Sequence, residues 1–387
     1  MLLAVDIVLD DPAAPFRIDG VLDTRRTRDG IRVSRLPSWA QAQIVDPGFN
    51  WAAGVPSGAR IVLVTDSTSI ELDVQLLRLE FPGDPPDPAT FDLIVDGDVV
   101  DLRASETGHI ARYSEEDPTQ FDLVRGGPDA IRFDGLAPVD KCIEIWLPHN
   151  ASLEIRGLRV DDGASVRAPD AITERRWIHY GSSISHCIEA DRPTGVWPVV
   201  AARAAGVHLQ SFGLAGQAHL DQVVARTIRD LPAHAISLKV GINVINGDTM
   251  RERTFVPAVH GFLDTIRDGH PSTPLLLITP IICPAAEDHP GPTLSERGKE
   301  IYVVDRPIEL STGALTLSRI RELLTIVVEQ RRRAGDDNLH LMSGLDLFGP
   351  DDLADLPDGL HPNATGYRRM GERFAATAFG PGGAFAV

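Results

Sequence analysis

RWIHYGSSIS, residues 176–185, reads as an apolar strand that stops on Gly181 and runs through Ser182 and Ser183 into another apolar residue, Ile184. Glycine followed by hydroxyls at a strand–helix junction has two uses. One is to turn a corner and cap a helix, because a serine oxygen accepts the orphaned N–H groups of the first turn. The other is to hold a reactive side chain out at the end of a sheet. The choice depends on whether the chain brings a base, an orienting acid and oxyanion donors to the same place.

Downstream of this stretch, apolar runs of strand length alternate with helical periods. The runs are RWIHYG, VHLQSFG, AISLKVG, PLLLITPI and LHLMSG. Between them lie GVWPVVAARAAG, LDQVVARTIRDL, FVPAVHGFLDTIRDG and TLSRIRELLTIVVEQRRRAG, with a last helix after Asn363. Such alternation predicts a parallel sheet with helices on both faces, an α/β domain over residues 172–387. Residues 1–163 have a different period. TSIELDVQLLRLEF places Ile70, Leu72, Val74 and Leu76 on one face and Glu71, Asp73 and Gln75 on the other. Further short runs follow, broken at Gly, Pro and Asp, which predicts an all-β, jelly-roll-like sandwich. Two domains suit a chain of 387 residues.

A net charge of −18 argues against nucleic acid or an anionic membrane surface as partner, since both need a basic face. Cys142, Cys187 and Cys283 are odd in number, far apart and without metal-ligand spacing, as expected of reduced thiols. The start, MLLAVDIVLDDPAAP, lacks basic residues and carries Asp6 inside its apolar run, so neither a signal peptide nor a membrane span is expected. The expected location is cytoplasmic. The triplets at Asn150 and Asn363 then carry no meaning as glycosylation sites.

In open parallel sheets the reactive groups sit on loops beyond the carboxyl ends of the strands. Four such loops carry chemistry: Gly181-Ser182-Ser183-Ile184-Ser185, GLAGQ at 213–217, GINVIN at 241–246 and DGLHPN at 358–363. This set, in this order, resembles the SGNH hydrolase (GDSL-like lipase/acylhydrolase) superfamily, in the branch that carries an N-terminal β-sandwich. The resemblance implies a flavodoxin-like three-layer domain, with Ser183 as nucleophile and Asp358 and His361 completing a triad. It also implies an oxyanion hole built from the N–H groups of Ser183 and Gly216 and the side-chain amide of Asn243. The chemistry of those residue types agrees. A serine hydroxyl needs a base to take its proton, and an imidazole serves only when an acceptor fixes its tautomer. Asp358, three residues before His361 across Gly359-Leu360, can fold its carboxylate back beneath the ring. Gly216 allows close approach of the backbone, and Ser183 at a helix start gains the positive end of the helix dipole. Ser182, Ala215 and Val244 depart from the usual family pattern, at positions without a role in bond making.

There is no G-x-S-x-G elbow, Walker loop or H-E-x-x-H pair to supply a competing chemistry. His186 and His219 lie beside motif blocks and are weighed as pocket-lining against structural; Trp197 sits in an apolar helix stripe and reads as core. Residues 283–311 form a long Pro- and charge-rich connection, either a surface insertion or a flap over substrate. The expected reaction is acyl transfer through an acyl-serine, with a small-molecule acyl donor and a hydroxyl acceptor. No cofactor or metal is expected, although an acyl-CoA or other acyl thioester would serve as co-substrate. Water as acceptor makes an esterase, and a bound alcohol makes an acyltransferase. The layout is similar to the salicylyl acyltransferases of tetracycline-type polyketide biosynthesis and also to two-domain carbohydrate esterases. The sandwich keeps open a third reading, a ligand-binding protein with an inactive hydrolase domain.

Overall fold

The computed structural model describes residues 4–7, 14–117, 120–294 and 300–386. Most of the N-terminal run discussed above, and residues 295–299 of the long connection, lie outside the described residues. The chain forms two compact units that are not a simple division at one point. One comprises Met1–Pro37, Ala53–Thr173 and Asp191–Thr194; the other comprises Ser38–Ala52, Glu174–Ala190 and Gly195–Val387.

Among the described residues, the first unit is a sandwich of an eight-stranded and a six-stranded sheet. Ser69–Glu80 and Ser152–Asp161 are paired antiparallel at the centre of the larger sheet. In the smaller, Lys141–Trp146 lies between Arg60–Thr65 and Ala89–Val95. The period-two reading holds residue by residue: Ile70, Leu72, Val74 and Leu76 are buried in one cluster with Leu63, Phe91 and Ile145 of the facing sheet. The polar face of the same strand is tied by ion pairs such as Arg159 Nη1 to Glu71 Oε1, 2.9 Å. The segment Asp191–Thr194 is anchored in this unit by Asp92, which is fully buried and accepts from the Arg192 guanidinium and from Thr194 N and Oγ1.

The second unit is built on five parallel strands: β1 (Arg176–Gly181), β2 (His208–Gly213), β3 (Ala235–Lys239), β4 (Leu275–Ile278) and β5 (Leu339–Met342). Their spatial order is 2-1-3-4-5, the flavodoxin-like order. All of the expected helices form, at Trp197–Ala205, Gln222–Asp230, Glu252–Gly269, Leu317–Arg333 and Ala364–Phe374. Asn363 caps the last of these, its Oδ1 accepting Gly366 N at 3.0 Å. Gly181 pairs with Gly213 and Tyr180 with Leu238, so the loops after β2, β1 and β3 leave neighbouring strands at one level.

Two elements differ from the sequence reading. GINVIN is a short helix, Ile242–Asn246, rather than a loop. The N-terminal half also contains helices at Ser38–Gln41 and Pro47–Gly54, too short for a helical period to show. Residues of that segment are bound into the second unit: the Arg226 guanidinium lies 4.8 Å over the Trp39 ring, and Trp51 stacks on His186 at 5.9 Å. No helix of the described residues is long and apolar enough to cross a membrane.

Candidate active site

The two serines after β1 divide the uses that the sequence left open. Ser182 is the cap, accepting Ile184 N at 3.3 Å, and Ser183 is the first residue of a single helical turn, Ser183–His186. Cys187, in the left-handed region at φ 60°, ends that turn. With one turn only, the dipole expected at Ser183 reduces to the few free N–H groups of that turn. The glycines explain themselves by what surrounds them. A Cβ at Gly181 would overlap the Ser185 hydroxyl, and one at Gly213 would overlap the backbone of Ser185 and His186. The turn that carries Ser183 therefore rests directly on the ends of β1 and β2.

A buried polar chain holds it from below. His179 Nε2 bonds Ser185 Oγ at 2.8 Å, and His179 Nδ1 bonds Ser237 Oγ at 2.7 Å, which also accepts Trp177 Nε1 at 2.9 Å. Burial pushes the His179 imidazole well below its usual range, so it stays neutral. Trp197 is core, fully buried, and donates to Ile184 O at 2.9 Å.

The loop after β5 brings acid and base together as its spacing requires. Asp358 Oδ1 accepts Leu360 N at 2.8 Å and His361 N at 2.6 Å, with Gly359 at φ +76° making the turn. Asp358 Oδ2 then meets His361 Nδ1 at 2.7 Å, and His361 Nε2 lies 2.9 Å from Ser183 Oγ, across 178 residues of sequence. Partial burial works against the Asp358 charge, but the imidazole and the two N–H groups outweigh it and hold the carboxyl below its usual range. For His361 burial again opposes the charge, while Glu189 and Asp358 outweigh it and raise the imidazole above its usual value. Part of the long connection packs on this loop: Thr293–Leu294 and Tyr302–Val303 pair antiparallel, and Ile301 N donates to Asp358 O at 2.8 Å.

The loop after β2 is closed by Gln217 N to Leu214 O at 3.0 Å, with Gly216 at φ +72°. A Cβ on Gly216 would meet no described protein atom within 4 Å, so within the chain it is the left-handed backbone angle that calls for glycine there. Both neighbouring histidines serve this loop. His186 Nδ1 accepts Ala215 N at 3.3 Å, and His219 Nε2 bonds Gly216 O at 3.1 Å while its Nδ1 bonds Thr249 Oγ1 at 3.0 Å. Asn243, 4% exposed, accepts Ala218 N on Oδ1 at 2.9 Å. That bond orients the amide with Nδ2 as its remaining donor.

Four further residues stand at the site without a sequence signal. Glu189 lies beside His361, its Oε1 3.6 Å from Nδ1, and Tyr367 OH donates to Glu189 Oε2 at 2.8 Å. Lys239, buried at the end of β3, is pushed down to about 7 by burial. Trp51 comes from the N-terminal helical segment. Among the described residues no group of three or more His, Cys, Asp or Glu is arranged to hold a metal ion.

Comparison with known proteins bears on this arrangement. Residues 174–286 match the model of the GDSL-like Lipase/Acylhydrolase family. A salicylyl-acyltransferase from a tetracycline biosynthetic pathway is similar in structure, with a TM-score of 0.78 and 28% identity over 96% of this chain and 95% of that one. A Bacteroides ovatus protein described as a GDSL-like lipase superposes with a TM-score of 0.68 at 18% identity, over 97% of this chain and 96% of that one. A family two carbohydrate esterase from Clostridium thermocellum gives 0.59 at 14%, over 93% of this chain and 97% of that one. The last two likenesses speak for the fold alone. No curated protein matches the chain in sequence.

Proposed function

We propose that this enzyme of the GDSL/SGNH kind transfers an acyl group through an acyl-Ser183 intermediate to a hydroxyl of a small metabolite inside the cell. The observation that carries the proposal is the unbroken hydrogen-bonded chain from Ser183 Oγ through His361 to Asp358. Ser183 Oγ attacks the carbonyl carbon of an ester or thioester donor as His361 Nε2 takes its proton. Ionised Asp358 holds the Nδ1 proton and stabilises the imidazolium. The tetrahedral oxyanion is met by the N–H groups of Ser183 and Gly216 and by Asn243 Nδ2. Collapse expels the alcohol or thiol, which takes the proton back from His361. The acceptor hydroxyl then repeats the sequence in reverse and leaves as the new ester. No resident cofactor enters; an acyl-CoA or other thioester would act as co-substrate.

Transfer is preferred to hydrolysis because the likeness to the salicylyl-acyltransferase runs through both halves of the chain at 28% identity. Hydrolysis is the second reading, favoured by the His361 side chain being 19% exposed, within reach of water. A non-catalytic ligand-binding role would give no reason for the aligned serine, imidazole and carboxylate. The deciding experiment is intact mass spectrometry after incubation with short-chain acyl thioesters, with and without phenolic and alcoholic acceptors. Transfer requires an acyl adduct that decays faster with an acceptor present, together with acylated acceptor. Decay at one rate with free acid as the only product supports the esterase.

A further inference from the structure

Glu189 lies just beyond the Cys187 turn that ends the helix of Ser183. Its Oε1 is 3.6 Å from His361 Nδ1, the atom that Asp358 Oδ2 engages at 2.7 Å. Its other oxygen accepts the hydroxyl of Tyr367, a fully buried residue of the last helix. Burial, reinforced by Glu189, keeps the Tyr367 phenol well above its usual range, so it remains a donor and Glu189 an acceptor. The Nδ1 edge of the base therefore faces two carboxylates. One is bonded, and one is held just outside bonding distance by a fixed tyrosine.

We propose that Glu189 is a positioning residue for His361: its Tyr367-anchored carboxylate stabilises the imidazolium and takes up the Nδ1 contact when Asp358 is removed. This rests on the reading of His361 as the base. The groups facing His361 are Asp358 in its own loop, Glu189 after the Ser183 turn, neutral Ser183, and Lys239 at the end of β3, which opposes both carboxylates. Lys239 is itself lowered to about 7 by burial, so its opposition fades above neutrality. Cys187, kept as a thiol by burial, adds no charge. Glu189 is 37% exposed, so solvent screens it. Unit charges this close under such screening shift a pKa by about one unit.

The test follows the His361 imidazole by NMR titration in the full-length protein, beside the pH profile of kcat/KM on a chromogenic ester. Glu189→Gln should lower the His361 pKa by about one unit and move the acid limb of the profile equally, with KM on the plateau unchanged. Tyr367→Phe, which frees the carboxylate without removing it, should shift both in the same direction by less. Asp358→Ala should keep about tenfold more activity than the Asp358→Ala/Glu189→Gln double variant. An unmoved His361 pKa in folded Glu189→Gln, or a double variant no slower than Asp358→Ala, overturns the proposal. The titration needs no turnover, so it is decided separately from the acyl-serine reading, which stands or falls on Ser183→Ala.

Discussion

Replacing Asn243 in two ways separates its two bonds. Its Oδ1 holds the buried N–H of Ala218, and its Nδ2 is the proposed donor to the oxyanion. Asn243→Ala removes both groups. Losing one preorganised oxyanion donor costs about 10²–10³ in kcat, or about 2.7–4 kcal/mol. Leaving the Ala218 N–H unpaired costs about 1–3 kcal/mol of stability, a fall of several degrees in Tm for a domain of this size. Asn243→Asp keeps an acceptor for Ala218 but puts an oxygen where the donor was, so it should retain most of the Tm. Its kcat should fall at least as far as that of the alanine variant, because a carboxylate repels the developing charge. Steady-state kinetics on a chromogenic ester and calorimetry read the two effects independently. Wild-type kcat in Asn243→Asp, or losses confined to KM, would refute the donor role and make Asn243 a ground-state or structural residue.

Other expectations follow from the same geometry. The base acts only as neutral imidazole, so kcat/KM should fall as pH drops through the raised His361 value, with a midpoint above the ordinary ~6.5; a midpoint below that figure would count against the two-carboxylate environment. Gly213→Ala drives a methyl into the backbone of Ser185 and His186. A displacement of about 1 Å at Ser183 should lower kcat about 10²-fold, and an unchanged kcat in the folded variant would show that the turn is not rigidly seated. Burial holds Lys239 at about 7, against about 10.4 in the unfolded chain. Between those values the unfolded state binds the extra proton, so stability should rise with pH there and Lys239→Met should lose that rise. Denaturant titrations at several pH values check this, and parallel pH dependence in the two proteins would contradict it.

The sheets were legible because burial imposes a period. Alternation in residues 69–80 marked a one-sided sandwich strand, and continuous apolar runs with intervening helical periods marked the parallel sheet. The site was legible as far as it sits at strand ends: Ser183 after β1, Asn243 after β3, and the Asp358–His361 turn whose three-residue spacing dictates its hydrogen bonds. What escaped has no local signature. Glu189 and Tyr367 meet across 178 residues, and neither belongs to a motif. His179 supports Ser185 from within a strand where any small or apolar residue would satisfy the pattern. Trp51 stands on an eight-residue helix, Pro47–Gly54, too short to show a period. Gly216 carries a turn angle, φ +72°, that its sequence context did not announce, since a left-handed turn and a close approach look the same in sequence.

The central claim is a covalent bond at one oxygen, and it is tested most directly by mapping the acyl adduct. The protein is mixed with an acyl thioester, quenched in acid, digested and sequenced by mass spectrometry, with Ser183→Ala in parallel. The account predicts the acyl mass on Ser183 alone, its absence from the folded variant, and matching loss of turnover and of fluorophosphonate labelling. An adduct on another residue, or turnover that survives in Ser183→Ala, would contradict it.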